Sequence, residues 1–300
     1  MILTTQIFFN FRIHCHVLLS KISIRMKFLV LILLLGIFGL NWTSGYDGDE
    51  IDSASGCPKV LKKCKCGRQR TYLWHPERND TYVVNCTNTN YQNSTPLQQI
   101  PKETEVLIFN GNRVPYMVNN VIGMTNVHEL LKVIDFSNNR IQEISSKAFH
   151  KVSNVEKLIL DHNDLSISGD ENHPGMFANF ANLKELHLTN AFSENIDSKY
   201  YMDDIQTMIM AALAEGVDKL MVLKLGQNEL WSIKDEFFCS DMFPALSHLD
   251  LSSNQLYDLN FKFECIKNLK YLDIGYNKIK RLNLKTLGRI DGFFRMPKTK

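Results

Sequence analysis

The chain has 300 residues and a formal net charge of +2. That length fits one elongated domain or two small ones. The two signs of charge are interspersed, which gives no case for nucleic-acid binding, since that needs a concentrated basic patch.

Phe28–Leu40 is a 13-residue apolar run preceded by Arg25 and Lys27. It is short for a membrane span, and its flanks are those of a signal-peptide core. Ser44 and Gly45 supply small residues for cleavage. Met26 stands directly before Lys27, so Met26–Gly45 reads as a complete signal peptide and residues 1–25 as an upstream extension. The alternative is an uncleaved signal-anchor. His14-Cys15-His16 falls in this stretch and reads as incidental, not as a metal site. Residues 46–56 are acidic and polar, the composition of a disordered linker.

Six cysteines follow: Cys57, Cys64, Cys66 and Cys86 in a cluster, then Cys239 and Cys265 far away. An even number behind an export signal suits an oxidising compartment, so all six are disulfide candidates. Zinc is the rival reading for the cluster of four. Three N-x-[ST] sequons, at Asn79, Asn85 and Asn93, crowd the same region and predict a glycosylated N-terminal end.

From Thr104 onward one pattern recurs, LxxLxLxxNxL. Its copies place Thr104, Leu107, Phe109, Asn112 and Val114; Leu131, Ile134, Phe136, Asn139 and Ile141; and Val155, Leu158, Leu160, Asn163 and Leu165 in equivalent positions. A fourth copy at Leu183, Leu186 and Leu188 is imperfect, because Ala191 takes the Asn position. Three more follow at Leu220 to Leu230, Leu246 to Leu256 and Leu269 to Ile279. This is the leucine-rich-repeat signature. Each unit is one short strand and a return segment, too small to bury its own apolar face, so neighbours must stack on a shared core. The expected fold is an α/β solenoid with a curved parallel sheet on its concave face. The Asn side chain satisfies backbone groups of the turn; at the fourth copy either Asn190 substitutes or the turn is opened.

The domain plan is then a cysteine cap at 57–101, about seven repeats at 102–287, and a tail at 288–300 without a recognisable C-terminal cap. Ala148-Phe149 and Phe237-Phe238 on return segments belong to the core. The polar loop 162–173 offers Asp161, Asp164, Asp170 and Glu171, but not at the spacing of an ordered calcium loop. An insertion at 194–216 carries Ile205, Met208, Ile209, Ala212 and Leu213 on one helical stripe, with Asp203-Asp204 before it and Gly216 after it. Cys239 and Cys265 lie on successive return segments, where a bond between them is one reading and two free thiols the other.

No nucleophile elbow, phosphate loop, dinucleotide fingerprint or zinc-protease motif is present, so the reading is of a non-enzymatic protein without metal or cofactor. Repeat strands instead offer a grid of outward residues. The central grid positions are Ile108, Asp135, Ile159, His187, Lys224, Asp250 and Asp273, flanked by Val106, Val133, His248, Tyr271 and Tyr276. Aromatic, His and β-branched residues on such a face suit protein recognition.

The imperfect fourth repeat, the segment MDDIQTMIMAALAEGVDKLMVLKL from Met202 to Leu225, and Gly226-Gln-Asn228 together resemble the insertion of the trophoblast glycoprotein family, also called Wnt-activated inhibitory factors. Asn190, Ala211-Ala212-Leu213 and Gly216 fall in that family's order, and the resemblance runs from about Cys57 to Leu287. It implies single-pass cell-surface glycoproteins that dampen β-catenin-dependent Wnt signalling through the lipoprotein-receptor-related co-receptor. The cap cysteines likewise resemble those of extracellular leucine-rich-repeat proteins, which implies the pairs Cys57–Cys66 and Cys64–Cys86. The family's site at the cap and first repeat maps to Asn85 and Ile108, with Asn85 standing where a basic residue is usual. The expected partner surface thus comprises Asn85, Val106, Ile108, Asp135, Ile159, His187, Lys224, Asp250, Tyr271 and Asp273. The expected location is the extracellular face, membrane-bound in a longer form and secreted as the chain stands. The alternative function is an adhesion or guidance receptor.

Overall fold

Three-residue strands recur wherever the sequence reads x-L-x. The computed structural model describes residues 55–123, 128–166, 177, 179–193, 217–233, 238, 243–259, 265–280 and 293–295. The apolar run before the cap, the helical stripe of the insertion, Asp170, Glu171, Phe237 and Cys239 lie outside them.

The cap contributes an antiparallel hairpin, β1 (Lys65–Gln69) and β2 (Thr81–Asn85). Beyond it come β3 (Val106–Ile108), β4 (Tyr116–Met117), β5 (Val133–Asp135), β6 (Glu143–Ile144), β7 (Lys157–Ile159), β8 (Glu185–His187), β9 (Val222–Lys224), β10 (His248–Asp250), β11 (Tyr271–Asp273) and β12 (Phe293–Arg295). One sheet runs β1-β2-β3-β5-β7-β8-β9-β10-β11-β12, parallel from β2 onward, and β4 pairs with β6 in a small second sheet. Leu107, Ile134, Leu158, Leu186, Leu223, Leu249 and Leu272 are opposite one another and all fully buried. The fold is the leucine-rich-repeat solenoid that the pattern predicts, with the core behind the sheet. The polar and basic character of 288–300 suggests only a tail. Instead, Phe293–Arg295 adds another parallel strand in register with β11.

Each of β3, β5, β7, β8, β9, β10 and β11 ends in a tight turn whose penultimate residue is left-handed. Gly111, Asn138, His162, Asn190, Gln227, Ser253 and Tyr276 all have φ between 49° and 73°. The next residue is the repeat Asn, whose side chain ties its own rung to its neighbour. Asn139 Nδ2 donates to the Phe136 carbonyl at 2.7 Å, and its Oδ1 accepts from the Asn112 amide at 2.8 Å. Asn163 and Asn254 repeat the arrangement, and Asn277 donates to the Ile274 carbonyl in the same way while its Oδ1 accepts from the Leu256 amide.

Where Ala191 replaces the Asn, neither sequence-based alternative holds as stated. The Asn190 side chain is exposed and meets His162, but its backbone carbonyl accepts from the Asn163 amide at 3.2 Å. Asn228 then reaches across the insertion, accepting from the Ala191 amide at 3.0 Å and donating to the Leu188 carbonyl at 2.7 Å. The turn stays closed because backbone oxygen replaces side-chain oxygen.

Aromatic rings fill the return side. Tyr91, Phe109, Phe136, Phe149, Phe180 and Phe177 form a chain of neighbours with centroid separations of 5.0–6.3 Å. At the first end, Cys57–Cys66 and Cys64–Cys86 are bonded, the pairs implied by the resemblance, and Cys57, Leu61, Cys64 and Cys86 close the core. Cys265 is also disulfide-bonded.

His128, before the second rung, is 2 % exposed, and neither ring nitrogen has a well-formed hydrogen bond. Burial holds its imidazole below the ordinary value of 6.5; Lys102 adds to this, against a weaker opposing influence of the Ile122 backbone. The unfolded chain therefore binds the proton first as pH falls, and His128 contributes stability that is present above 6.5 and lost below it. Unfolding free energies measured between about pH 7 and about pH 5 should fall less steeply for His128→Leu than for the parent chain. Equal slopes would mean that this ring is solvated.

Candidate binding surface on the concave sheet

Two rows of side chains leave the sheet on the face away from the core. The first runs Val83, Val106, Val133, Lys157, Glu185, Val222, His248 and Tyr271; the second runs Asn85, Ile108, Asp135, Ile159, His187, Lys224, Asp250 and Asp273. Strand alternation alone would expose both rows. The structure does not, and three different causes operate along it.

At the first rungs the cap folds over the face. Val83, Val106 and Val133 are fully buried in a small separate cluster with Leu73, Trp74 and Ile108. The β1–β2 loop thus places an apolar lid on the surface assigned to Val106 and Ile108. Arg78 anchors that loop to the first repeat, 3.0 Å from Glu105 and 3.1 Å from Asp80. Val106 is a core residue and Ile108 is half-buried, a correction to their expected exposure.

In the middle, charges and bulky neighbours cover one another. Lys157 lies 2.9 Å from Glu185, and His187 Nε2 lies 3.3 Å from the same carboxylate, without the alignment of a hydrogen bond. The adjacent His187 ring, and after it Lys157, hold the Glu185 carboxyl at about 2 despite desolvation. His187 Nδ1 also lies 4.0 Å from Asp161. Ile159 and His187 are consequently buried, at 7 % and 6 % exposure.

At the strand ends, short acidic or amide side chains turn back on their own backbone. Asp135 Oδ1 accepts from the Ser137 amide at 2.9 Å, Asp250 from Ser252 at 2.9 Å, Asp273 from Gly275 at 2.8 Å and Asn85 from Thr87 at 3.0 Å. These are Asx turns, which Asp and Asn favour for this reason. Asp135 and Asp273 are buried and serve the fold rather than a partner; Asn85 and Asp250 are half-buried. The signal was readable: Asp-Phe-Ser, Asp-Leu-Ser, Asp-Ile-Gly and Asn-Cys-Thr each put a turn residue two places after the acceptor.

The accessible part lies in the later rungs. His248 is exposed and stacks on Tyr271 with ring centroids 5.7 Å apart and planes 22° apart. Ser247 Oγ lies 2.8 Å from His248 Nδ1. Met221, absent from the sequence-based grid because it precedes its strand, is 44 % exposed, and its carbonyl accepts from the His248 amide at 2.9 Å. Lys224 and Asp250 are half-buried beside this group. An aromatic pair, a thioether and both signs of charge make a surface for protein contact.

Among the described residues, no group of three or more His, Cys, Asp or Glu side chains is placed to hold a metal ion. A disulfide-capped repeat solenoid, most open on this face among the described residues at its later rungs, is the class of protein that fold and site define.

A leucine rich repeat model matches residues 126–165 and 218–279. Trophoblast glycoprotein of Macaca fascicularis is 25% identical over 220 residues, covering 70% of this chain and 50% of that protein. Lumican of Coturnix japonica is 29% identical over 181 residues, covering 50% of this chain and 51% of lumican. The chain spans about half the length of these relatives. The crystal structure of human 5T4 (Wnt-activated inhibitory factor 1, trophoblast glycoprotein) matches with a TM-score of 0.57 and 25% identity, covering 69% of this chain and 71% of that one. The chain is a leucine-rich-repeat protein related to trophoblast glycoprotein.

Proposed function

We propose that this is a non-catalytic protein of the extracellular face that binds another protein through Met221, Lys224, His248, Asp250 and Tyr271, and thereby dampens Wnt/β-catenin signalling. The observation that carries the surface is the exposed His248 ring stacked on the half-buried Tyr271, on a face whose earlier rungs the chain's own side chains largely cover. The Wnt reading rests on the relationship to trophoblast glycoprotein. The extracellular reading rests on the bonded cysteines of the cap. The plan of export segment, cap, repeats and insertion belongs to the same proposal. Asn79 and Asn93 are exposed and are the better glycan acceptors; Asn85 is half-buried, its Oδ1 taken up by Thr87.

The test is a purified ectodomain of the lipoprotein-receptor-related Wnt co-receptor, titrated with the parent chain and with a His248→Ala/Tyr271→Ala variant, alongside a β-catenin reporter. Anchor residues at the centre of an interface cost enough that binding should weaken about tenfold or more, with melting unchanged. Binding and reporter suppression that both survive the double substitution would remove this surface. Parent chain that neither binds the co-receptor nor moves the reporter would remove the Wnt reading and leave adhesion.

A further inference from the structure

The modest net charge conceals a local excess. Lys59, Lys62, Lys63, Lys65, Arg68 and Arg70 fall within the cap, and no Asp or Glu occurs between Ser53 and Pro76. Leu61-Lys-Lys-Cys-Lys-Cys66 is a dense basic hexamer of the kind that marks polyanion patches.

The fold turns this run into a surface. Cys57, Leu61 and Cys64 point into the core and are at most 1 % exposed, while Lys59, Val60, Lys62 and Lys63 between them face outward. Lys59, Lys62, Lys63, Lys65, Arg68 and Arg70 are all exposed. They sit on β1, an edge strand of the sheet, and in the residues directly before and after it. The Cys57–Cys66 bond within the run and the Cys64–Cys86 bond leading out of it fix its backbone, and Tyr91 braces it: the hydroxyl donates to the Val60 carbonyl at 3.2 Å, and Lys63 Nζ lies 5.2 Å from the ring centroid. Arg68 is partly neutralised, 3.9 Å from Glu105. Among the described residues no carboxylate pairs with Lys62, Lys63 or Lys65.

We propose that this end of the solenoid is a binding site for a linear sulfated polysaccharide of the glycosaminoglycan class, with Lys62, Lys63 and Lys65 as its centre. Strongly hydrated ammonium groups on a rigid backbone suit point contacts to a chain of sulfates. The ordering cost is already met by the disulfides. Among the described residues the patch offers two exposed apolar side chains, Val60 and, beneath Arg70, Tyr72; with no Trp, Phe or Leu exposed beside them this is too little to insert into a bilayer, so a polysaccharide fits better than a lipid surface. Attraction to a dense polyanion is driven by counterion release and must weaken with salt. This site is separate from the His248–Tyr271 sector, and neither proposal depends on the other.

The experiment uses the whole chain on immobilised heparin, with hyaluronan and phosphatidylserine vesicles as the unsulfated and lipid arms. Lys62→Gln/Lys63→Gln/Lys65→Gln should lower heparin affinity about tenfold or more and elute at lower salt, with unchanged melting. A control with the same loss of charge elsewhere, Lys147→Gln/Lys267→Gln/Lys270→Gln, should stay within about twofold of the parent. Single Lys62→Gln and Lys65→Gln variants, each expected to show part of the loss, cover the case in which the triple variant fails to fold. Equal losses in the two triple variants would reduce the effect to net charge and overturn the site. So would unaltered affinity in the cap variants, or equal binding to hyaluronan or to vesicles.

Discussion

Replacing Asn163 by Ala is expected to cost about 2–5 kcal/mol, a large share of the roughly 5–15 kcal/mol that holds a domain folded. The side chain is 5 % exposed and saturated. Its Oδ1 accepts from the Asn139 and Ile141 amides, each at 3.0 Å, and its Nδ2 donates to the Leu160 carbonyl at 2.8 Å and the Phe136 carbonyl at 3.1 Å. Truncation leaves two N–H groups in the interior with no acceptor, and that desolvation penalty exceeds the net worth of the bonds themselves. Asn277→Ala should cost roughly half as much, because Asn277 is half-buried and accepts from the Leu256 amide at 3.1 Å alone among the described residues. Urea unfolding should show a lower midpoint at unchanged slope. Equal small losses at both positions would mean that water reaches the ladder and that the repeat Asn is replaceable.

That rung also shows what a single sequence can convey. Leu, Asn and the alternation around them follow a fixed period, so the sheet, its core face and the ladder are legible from Thr104 to Ile279. Position 191 breaks the period, and the pattern says only that something must replace the missing oxygen. Which atom does so is a matter of backbone path, and the Asn190 carbonyl could not be chosen beforehand. The binding face is harder still. Alternation gives direction but not accessibility, which depends on what folds back. Leu73 and Trp74 sit in an irregular loop with no periodicity, yet they decide the fate of Val106 and Ile108 on the neighbouring rung. Asp135 and Asp273 are a different case: their turns are local, and the residue two places on announces them. Met221 escapes a grid built on strand centres because its exposure arises one residue before the strand. The lysines of the cap are masked by whole-chain averaging, since acidic residues elsewhere cancel them in the total.

Breaking the Cys64–Cys86 bond is expected to be the other severe lesion. Both cysteines are at most 1 % exposed and lie in the core layer with Val84, Leu97 and Leu107. Cys64→Ser removes a cross-link between residues 22 apart and leaves a buried hydroxyl and a stray thiol, at a cost of about 2–5 kcal/mol. The Cys57–Cys66 bond spans 9 residues. On loop length alone the two bonds differ by only about 0.8 kcal/mol. Position should widen that gap, because Cys66 is half exposed while Cys64 seals the first core layer beside Tyr91. A Cys64→Ala/Cys86→Ala chain should therefore melt below a Cys57→Ala/Cys66→Ala chain, and limited proteolysis should cut it first between Lys59 and Lys102. The later rungs, which contact only their neighbours, should outlast the cap and leave a protected fragment. If the Cys64→Ala/Cys86→Ala chain melts with the parent, the cap is not what closes this end of the core, and Leu61 and Leu97 suffice without the bond.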